Sequence, residues 1–266
     1  MDWEKILGKS LVFSLNPKRW IQPFLLDSSL CLVMVFYWLN LNFFSSSISS
    51  MVLFFLLVFI TIVFYILLNV LINGAIVHQS CSEKKNIKAS YKISNKKYLS
   101  LFASAMVVGI ICGFVVIVPY IGFIFSILVS MAFFFIYQGI IIKDLKLDKT
   151  LEHSGNIFKK KWASTIILWL ILELFIWIMI GIFSLPLVLF LVSAIIISGF
   201  TGIIEIIYLN MLLVIASVII LFVGISVSRV FSIKAKTEFY LQLVKKHSFL
   251  EGKRVKPTSN IKHTKK

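Results

Sequence analysis

The 27 Lys and Arg residues of this chain are confined to four segments separated by long apolar runs. Lys5, Lys9, Lys18 and Arg19 precede the first run. Six more fall between Lys84 and Lys97, six between Lys143 and Lys161, and eleven from Arg229 onward. The connections around residues 45–50, 119–122 and 184–207 carry none. Short loops that keep Lys and Arg stay on the inner side of a membrane. Both termini and two loops therefore belong inside, the number of crossings is even, and six fits the length at about 20 residues each. Charged residues make up 14% of the chain and mean hydropathy is +0.98, against about 25% charged in soluble domains. The expected fold is all-α and integral to the cell membrane. It has six transmembrane helices as three parallel hairpin units, each preceded by a cytoplasmic interfacial helix. Residues 1–240 form one polytopic domain and 241–266 a basic cytoplasmic tail, disordered at its end.

A net charge of +16 would point a soluble chain towards nucleic acid. Here the cations sit in short juxtamembrane loops. The expected partners are the bilayer, its anionic headgroups and another membrane protein, not nucleic acid. Cys31, Cys81 and Cys112 make no disulfide framework and are expected to be reduced. The N-terminus, with Asp2 and Glu4, does not read as a secretory signal.

Trp3, Ile6, Leu7 and Ser10 share one helical face, with Lys5 and Lys9 away from it, which reads as an interfacial amphipathic helix. Spans are expected at about 24–44, 51–77, 98–118, 123–142, 163–183 and 208–231, with a tight turn at Pro119–Gly122. Residues 184–207 are apolar but interrupted by Pro186, Gly199 and Gly202, and they hold Glu205. They read as a re-entrant or interfacial segment on the outer side.

Three span entrances echo one another: Lys18-Arg19-Trp20, Lys96-Lys97-Tyr98 and Lys160-Lys161-Trp162. Asn16, Asn95 and Asn156 stand just upstream, and Ser10, Ser90 and Ser154 precede them. Asn73-Gly74 near the end of span 2 is matched by Gln138-Gly139 near the end of span 4. The basic–aromatic triplets are expected at the lipid headgroups. Inner helix starts in general collect such residues, but the wider echo points to duplication. The pattern resembles a group of six-span prokaryotic membrane proteins that includes the glycerophosphoryl diester phosphodiesterase membrane-domain family. The resemblance covers about residues 5–240. It implies the six-span fold and carries over no catalytic residue.

Glu173 is the sharpest polar candidate, since a charge inside a span is costly and usually functional. Trp169, Glu173 and Trp177 fall on one helical face. The carboxyl either carries ions or protons, or is a neutral hydrogen-bonder to Gln138, Asn69 or Asn73. Asn69, Asn73 and Gln138 either line a polar path with it or tie helices together. Asp27, near the inner end of span 1, is expected to pair with a basic loop residue, and Arg229 to snorkel to the interface. Ala105, Gly109 and Gly113 form a stripe of small residues suited to close helix packing. His78, Cys81, Glu83 and His153 lack metal-site spacing. No nucleophile elbow, Walker A or dinucleotide fingerprint is present. No cofactor and no metal is expected. The reading is a non-catalytic membrane protein that organises or assists other membrane components; the alternative is a small transporter or channel.

Overall fold

The computed structural model describes residues 2–45, 47–81, 86–118 and 122–250. The expected turn residues 119–121, Glu83 and the tail from 251 lie outside them. The helices are α1 (Trp3–Ser14), α2 (Pro17–Leu39), α3 (Leu41–Phe44), α4 (Ile48–Ser80) and α5 (Ile87–Lys96). They continue with α6 (Tyr98–Val116), α7 (Gly122–Ala132), α8 (Ile136–Lys143), α9 (Leu147–Leu209) and α10 (Met211–Leu250). No strand occurs among the described residues. Six helical stretches are long and apolar enough to cross a membrane: α2, α4, α6, α7 with α8, α9 to Ile197, and α10 to Val244.

Local chemistry explains the helix starts. Asn16 accepts from the Lys18 amide at 3.1 Å, with Pro17 in the first turn of α2. Ser47 and Ser50 cap each other's backbone at the start of α4. Asn86 accepts from the Lys88 amide to begin α5. Each side chain satisfies an amide that the helix itself leaves open. Of the three repeated Asn residues, only Asn16 is such a cap; Asn95 and Asn156 lie within helices.

Residues 184–197 correct the sequence reading. They continue α9 as regular helix, with Pro186 inside it. The backbone departs from helical geometry at Lys161 and at Gly199, where φ is +67°. That left-handed conformation suits glycine, which has no Cβ to clash. The stretch of α9 between Glu173 and the Gly199 kink, residues 174–198, carries no charge. At 1.5 Å per residue it crosses a bilayer core by itself.

The packed core lies at one end of the bundle. One cluster joins Ile6, Phe135, Leu168, Leu172, Phe231, Ala235, Phe239 and Tyr240. A second joins Val70, Val77, Leu101, Ile136, Ile140 and Ile141, and a third joins Phe13, Leu26, Ile72, Ile76 and Val230. Towards the other end most large apolar side chains are exposed, among them Trp38, Phe59, Phe114, Leu189 and Leu212. A broad exposed apolar surface of this kind suits lipid rather than water.

The apolar face of α1 is not turned to lipid. Ile6 is buried with Ala235 and Phe239, and the Trp3 ring lies 5.7 Å from that of Phe239. The serines of the repeated entrances are buried too. Ser90 bonds the His78 ring at 2.9 Å, and Ser154 donates to the Ala132 carbonyl at 2.8 Å. Ser10 closes on its own helix at the Ile6 carbonyl. Ser94 donates to Leu71 O at 2.7 Å. The glycine echo has a steric reason. A Cβ on Gly74 would collide with Ser94 and lie 2.7 Å from Leu101, and one on Gly139 would touch Thr150 at 3.0 Å. Each glycine lets the following helix lie directly on the end of the preceding one.

Candidate functional site

A polar layer crosses the bundle where the uncharged helix runs end. On α10, residues 211–228 carry no charge, and Arg229 follows at once. Its Nη1 donates to Asp27 Oδ1 of α2 at 3.3 Å, forming an ion pair with side chains 17% and 11% exposed. Its Nε and Nη2 donate to Asn73 Oδ1 at 3.1 and 2.8 Å, and Nη2 also donates to Asn69. Tyr65 donates to Asp27 at 3.0 Å, and Asn73 Nδ2 donates to Asn69 Oδ1 at 2.9 Å. The planar guanidinium offers five N–H donors, which matches this ring of acceptors. So α2, α4 and α10 are tied together at one point.

This corrects two expectations. Asp27 pairs with Arg229 rather than with a loop residue, and Arg229 turns into the bundle rather than snorkelling outward. Tyr91 of α5 reaches the same region, donating to Gln22 Oε1 at 2.7 Å. Burial pushes its phenol up to about 12, so it remains a donor at any physiological pH.

Glu173 does not join this group. Asn69 and Asn73 serve Arg229, and Gln138, buried, donates to Thr237 at 3.5 Å. None of the expected hydrogen bonds from Glu173 to these three residues forms. Glu173 instead lines a cavity of about 410 Å³ with Ser130, Tyr137, Trp169, Ser232 and Lys236. Trp169 shares that cavity, but Trp177 is 70% exposed and points away. A second cavity of about 340 Å³ holds Asn73, Ser228, Arg229, Ser232 and Lys236 against Ile176, Ile180 and Ile225. Phe175 stacks on Phe231 with centroids 3.6 Å apart, so α9 runs alongside α10 and Glu173 lies level with residues 232–236. Because α9 continues to Ile197, Glu173 is followed by the uncharged stretch 174–198 and preceded by the shorter one 162–172.

The basic dyads divide. Lys18, Lys96, Lys160, Lys161 and Trp162 are exposed, as headgroup contacts require. Arg19 is 9% exposed and donates to Gln79 at 2.5 Å, with Phe13 below it. Lys97 donates to the Ile140 and Ile141 carbonyls at 2.9 and 3.3 Å and pairs with Asp144 at 2.7 Å. Its ammonium holds the Asp144 carboxyl below the usual carboxylate range. Lys234 likewise donates to Ser80 O at 2.6 Å and to Glu238 at 2.7 Å. Arg19 and Lys97 are therefore not headgroup contacts. Lys97 and Lys234 neutralise the carbonyl-rich ends of α8 and α4. Trp20 and Tyr98 are half-buried, and Tyr98 donates to Leu67 O at 3.3 Å.

The small-residue stripe is not a seam within the chain. A Cβ on Gly109 or Gly113 would meet nothing within 4 Å, and only Ala105 touches the core. The face of α6 that packs is Leu101, Ser104 and Val108 instead. Among the described residues no group of three or more His, Cys, Asp or Glu converges on a point.

The Asp27–Arg229 pairing and the place of Ser232 and Lys236 beside Glu173 are not evident in the sequence, for one reason. Asp27 and Arg229 stand 202 positions apart, and the only local signal was a lone charge in each of two otherwise uncharged spans. No protein-family model matches the chain, and no similar curated protein or solved structure was found.

Proposed function

We propose that the chain is a non-catalytic multi-pass protein of the cell membrane that organises or assists other membrane components. Its three hairpins, α2 with α4, α6 with α7–α8, and α9 with α10, are each entered from the cytoplasm. The helices before them lie at the inner interface, and both termini are cytoplasmic. The exposed lysines of the helix entrances meet anionic headgroups, each contributing about 1 kcal/mol at such a surface. The resemblance to the glycerophosphoryl diester phosphodiesterase membrane-domain group enters this reading for fold alone.

The observation that carries the reading is how the polar side chains of the spans are used. Arg229 is matched by Asp27, Asn69 and Asn73; the Gln138 amide donates to Thr237 while its buried Oε1 has no partner among the described residues. Side chains consumed in holding helices together do not line a conduction path. The second reading, a small transporter, draws on Glu173 and Asn73, which line two cavities that meet at Ser232 and Lys236.

Proteoliposomes holding the purified chain separate the two. Under an imposed proton or potassium gradient, flux equals that of protein-free vesicles, and Glu173→Gln stays folded with an unchanged melting temperature. Flux in the parent that disappears in a folded Glu173→Gln variant contradicts the organising role and establishes transport.

A further inference from the structure

Lys236 differs from the other inward-turned lysines. Lys97 is paired with Asp144 and Lys234 with Glu238. The Lys236 ammonium has no hydrogen bond or ion pair among the described residues. It rests 4.1 Å from the centroid of the Phe134 ring. Glu173 is the carboxylate that bears on it, from beyond ion-pair distance. One turn before it, Ser232 is 8% exposed and its hydroxyl has no partner among the described residues. Neighbouring serines of α10 do have one: Ser226 donates to Phe222 O and Ser228 to Gly224 O. Lys236 is half-buried, and both it and Ser232 face cavity space rather than a protein partner, so ligand oxygens can reach them.

Both groups open into both cavities, and the cavities differ in sign. The larger holds Glu173, which repels an anion. The smaller holds Arg229 and is walled by Ile176, Ile180, Ile225 and Ile233. Its polar floor lies at the end of the uncharged stretches of α9 and α10, where the proposed topology puts the lipid headgroups. Its isoleucine wall extends along those stretches.

We propose that the smaller cavity binds a phosphate group, with Lys236 and Ser232 donating to its oxygens beside the Arg229–Asp27 pair. The isoleucine wall fits an acyl chain, so the phosphate is that of an anionic phospholipid entering between α9 and α10. Phosphate oxygens match an ammonium and a hydroxyl as charge-assisted acceptors. The site is independent of the organising role: an absence or presence of ion flux leaves it unchanged.

The test uses the full chain purified in an uncharged detergent and freed of lipid. Short-chain phosphatidylglycerol, inorganic phosphate and short-chain diacylglycerol are each titrated, with binding read by native mass spectrometry and by the shift in melting temperature. Phosphatidylglycerol binds saturably and diacylglycerol does not. Lys236→Gln weakens binding about tenfold or more, the loss expected for a charge-assisted hydrogen bond. Ser232→Ala weakens it severalfold, while Lys159→Gln, on an exposed lysine, leaves it within about twofold. Ser232→Ala removes one oxygen and decides the matter even if Lys236→Gln does not fold. Saturable binding of inorganic phosphate with the same variant pattern supports the site and assigns it to the free anion. Equal binding by the parent, Ser232→Ala and Lys236→Gln overturns the proposal, as does no binding by either phosphate compound.

Discussion

Arg229→Leu lowers the stability of the folded chain by about 2–4 kcal/mol, somewhat below the cost of breaking a fully buried ion pair from one side, because both side chains keep some exposure. The guanidinium serves three acceptor side chains on two helices. Without it the Asp27 carboxylate keeps only the Tyr65 hydroxyl, and the Asn69 and Asn73 oxygens lose their shared cation. A denaturant titration in detergent micelles reads the loss directly. The double variant Asp27→Leu with Arg229→Leu recovers a substantial part of it, because replacing both members of a buried pair by apolar residues is often near neutral. An Arg229→Leu variant as stable as the parent would show that this cluster does not hold α2, α4 and α10 together.

The second large effect is at Phe239. Its ring is fully buried, parallel to Phe135 at 5.6 Å and near Trp3 at 5.7 Å. Phe239→Ala costs about 3–5 kcal/mol, the usual range for a buried aromatic. Phe59, 64% exposed in the middle of α4, faces lipid, and Phe59→Ala changes stability by less than about 0.5 kcal/mol. Melting both variants in one detergent checks the contrast. Similar losses at the two positions would contradict a core gathered at one end of the bundle.

The six apolar helices were legible because long uncharged runs and the clustering of Lys and Arg are one-dimensional signals. Residues 184–197 are helical despite Pro186, whereas the backbone does break at Gly199, another of the interruptions in the sequence. A proline removes one backbone bond, and a helix in an apolar setting tolerates that when neighbouring groups take up the freed carbonyls. With the helix unbroken to Ile197, an uncharged stretch long enough to cross a bilayer core follows Glu173. The basic dyads show a different limit. Lys18-Arg19 and Lys96-Lys97 look alike, yet the second residue of each turns inward. It finds Gln79 in one case and the end of α8 in the other. Which lysine meets an exposed carbonyl depends on where a distant helix stops. Asn69 and Asn73 were recognisable as a polar pair one turn apart, but the cation they hold lies over 150 residues away.

The most direct test of the account is cysteine accessibility in intact cells. Cys31, Cys81 and Cys112 are first replaced by serine or alanine. Single cysteines are then placed at Ser49 and Leu209, on the side without Lys or Arg, and at Lys92 and Lys159, on the basic side; all four positions are exposed. A membrane-impermeant maleimide labels Ser49→Cys and Leu209→Cys from outside. It reaches Lys92→Cys and Lys159→Cys only after the membrane is opened. External labelling of either lysine position in sealed cells would contradict the three-hairpin topology, and with it a basic face turned to the cytoplasmic leaflet.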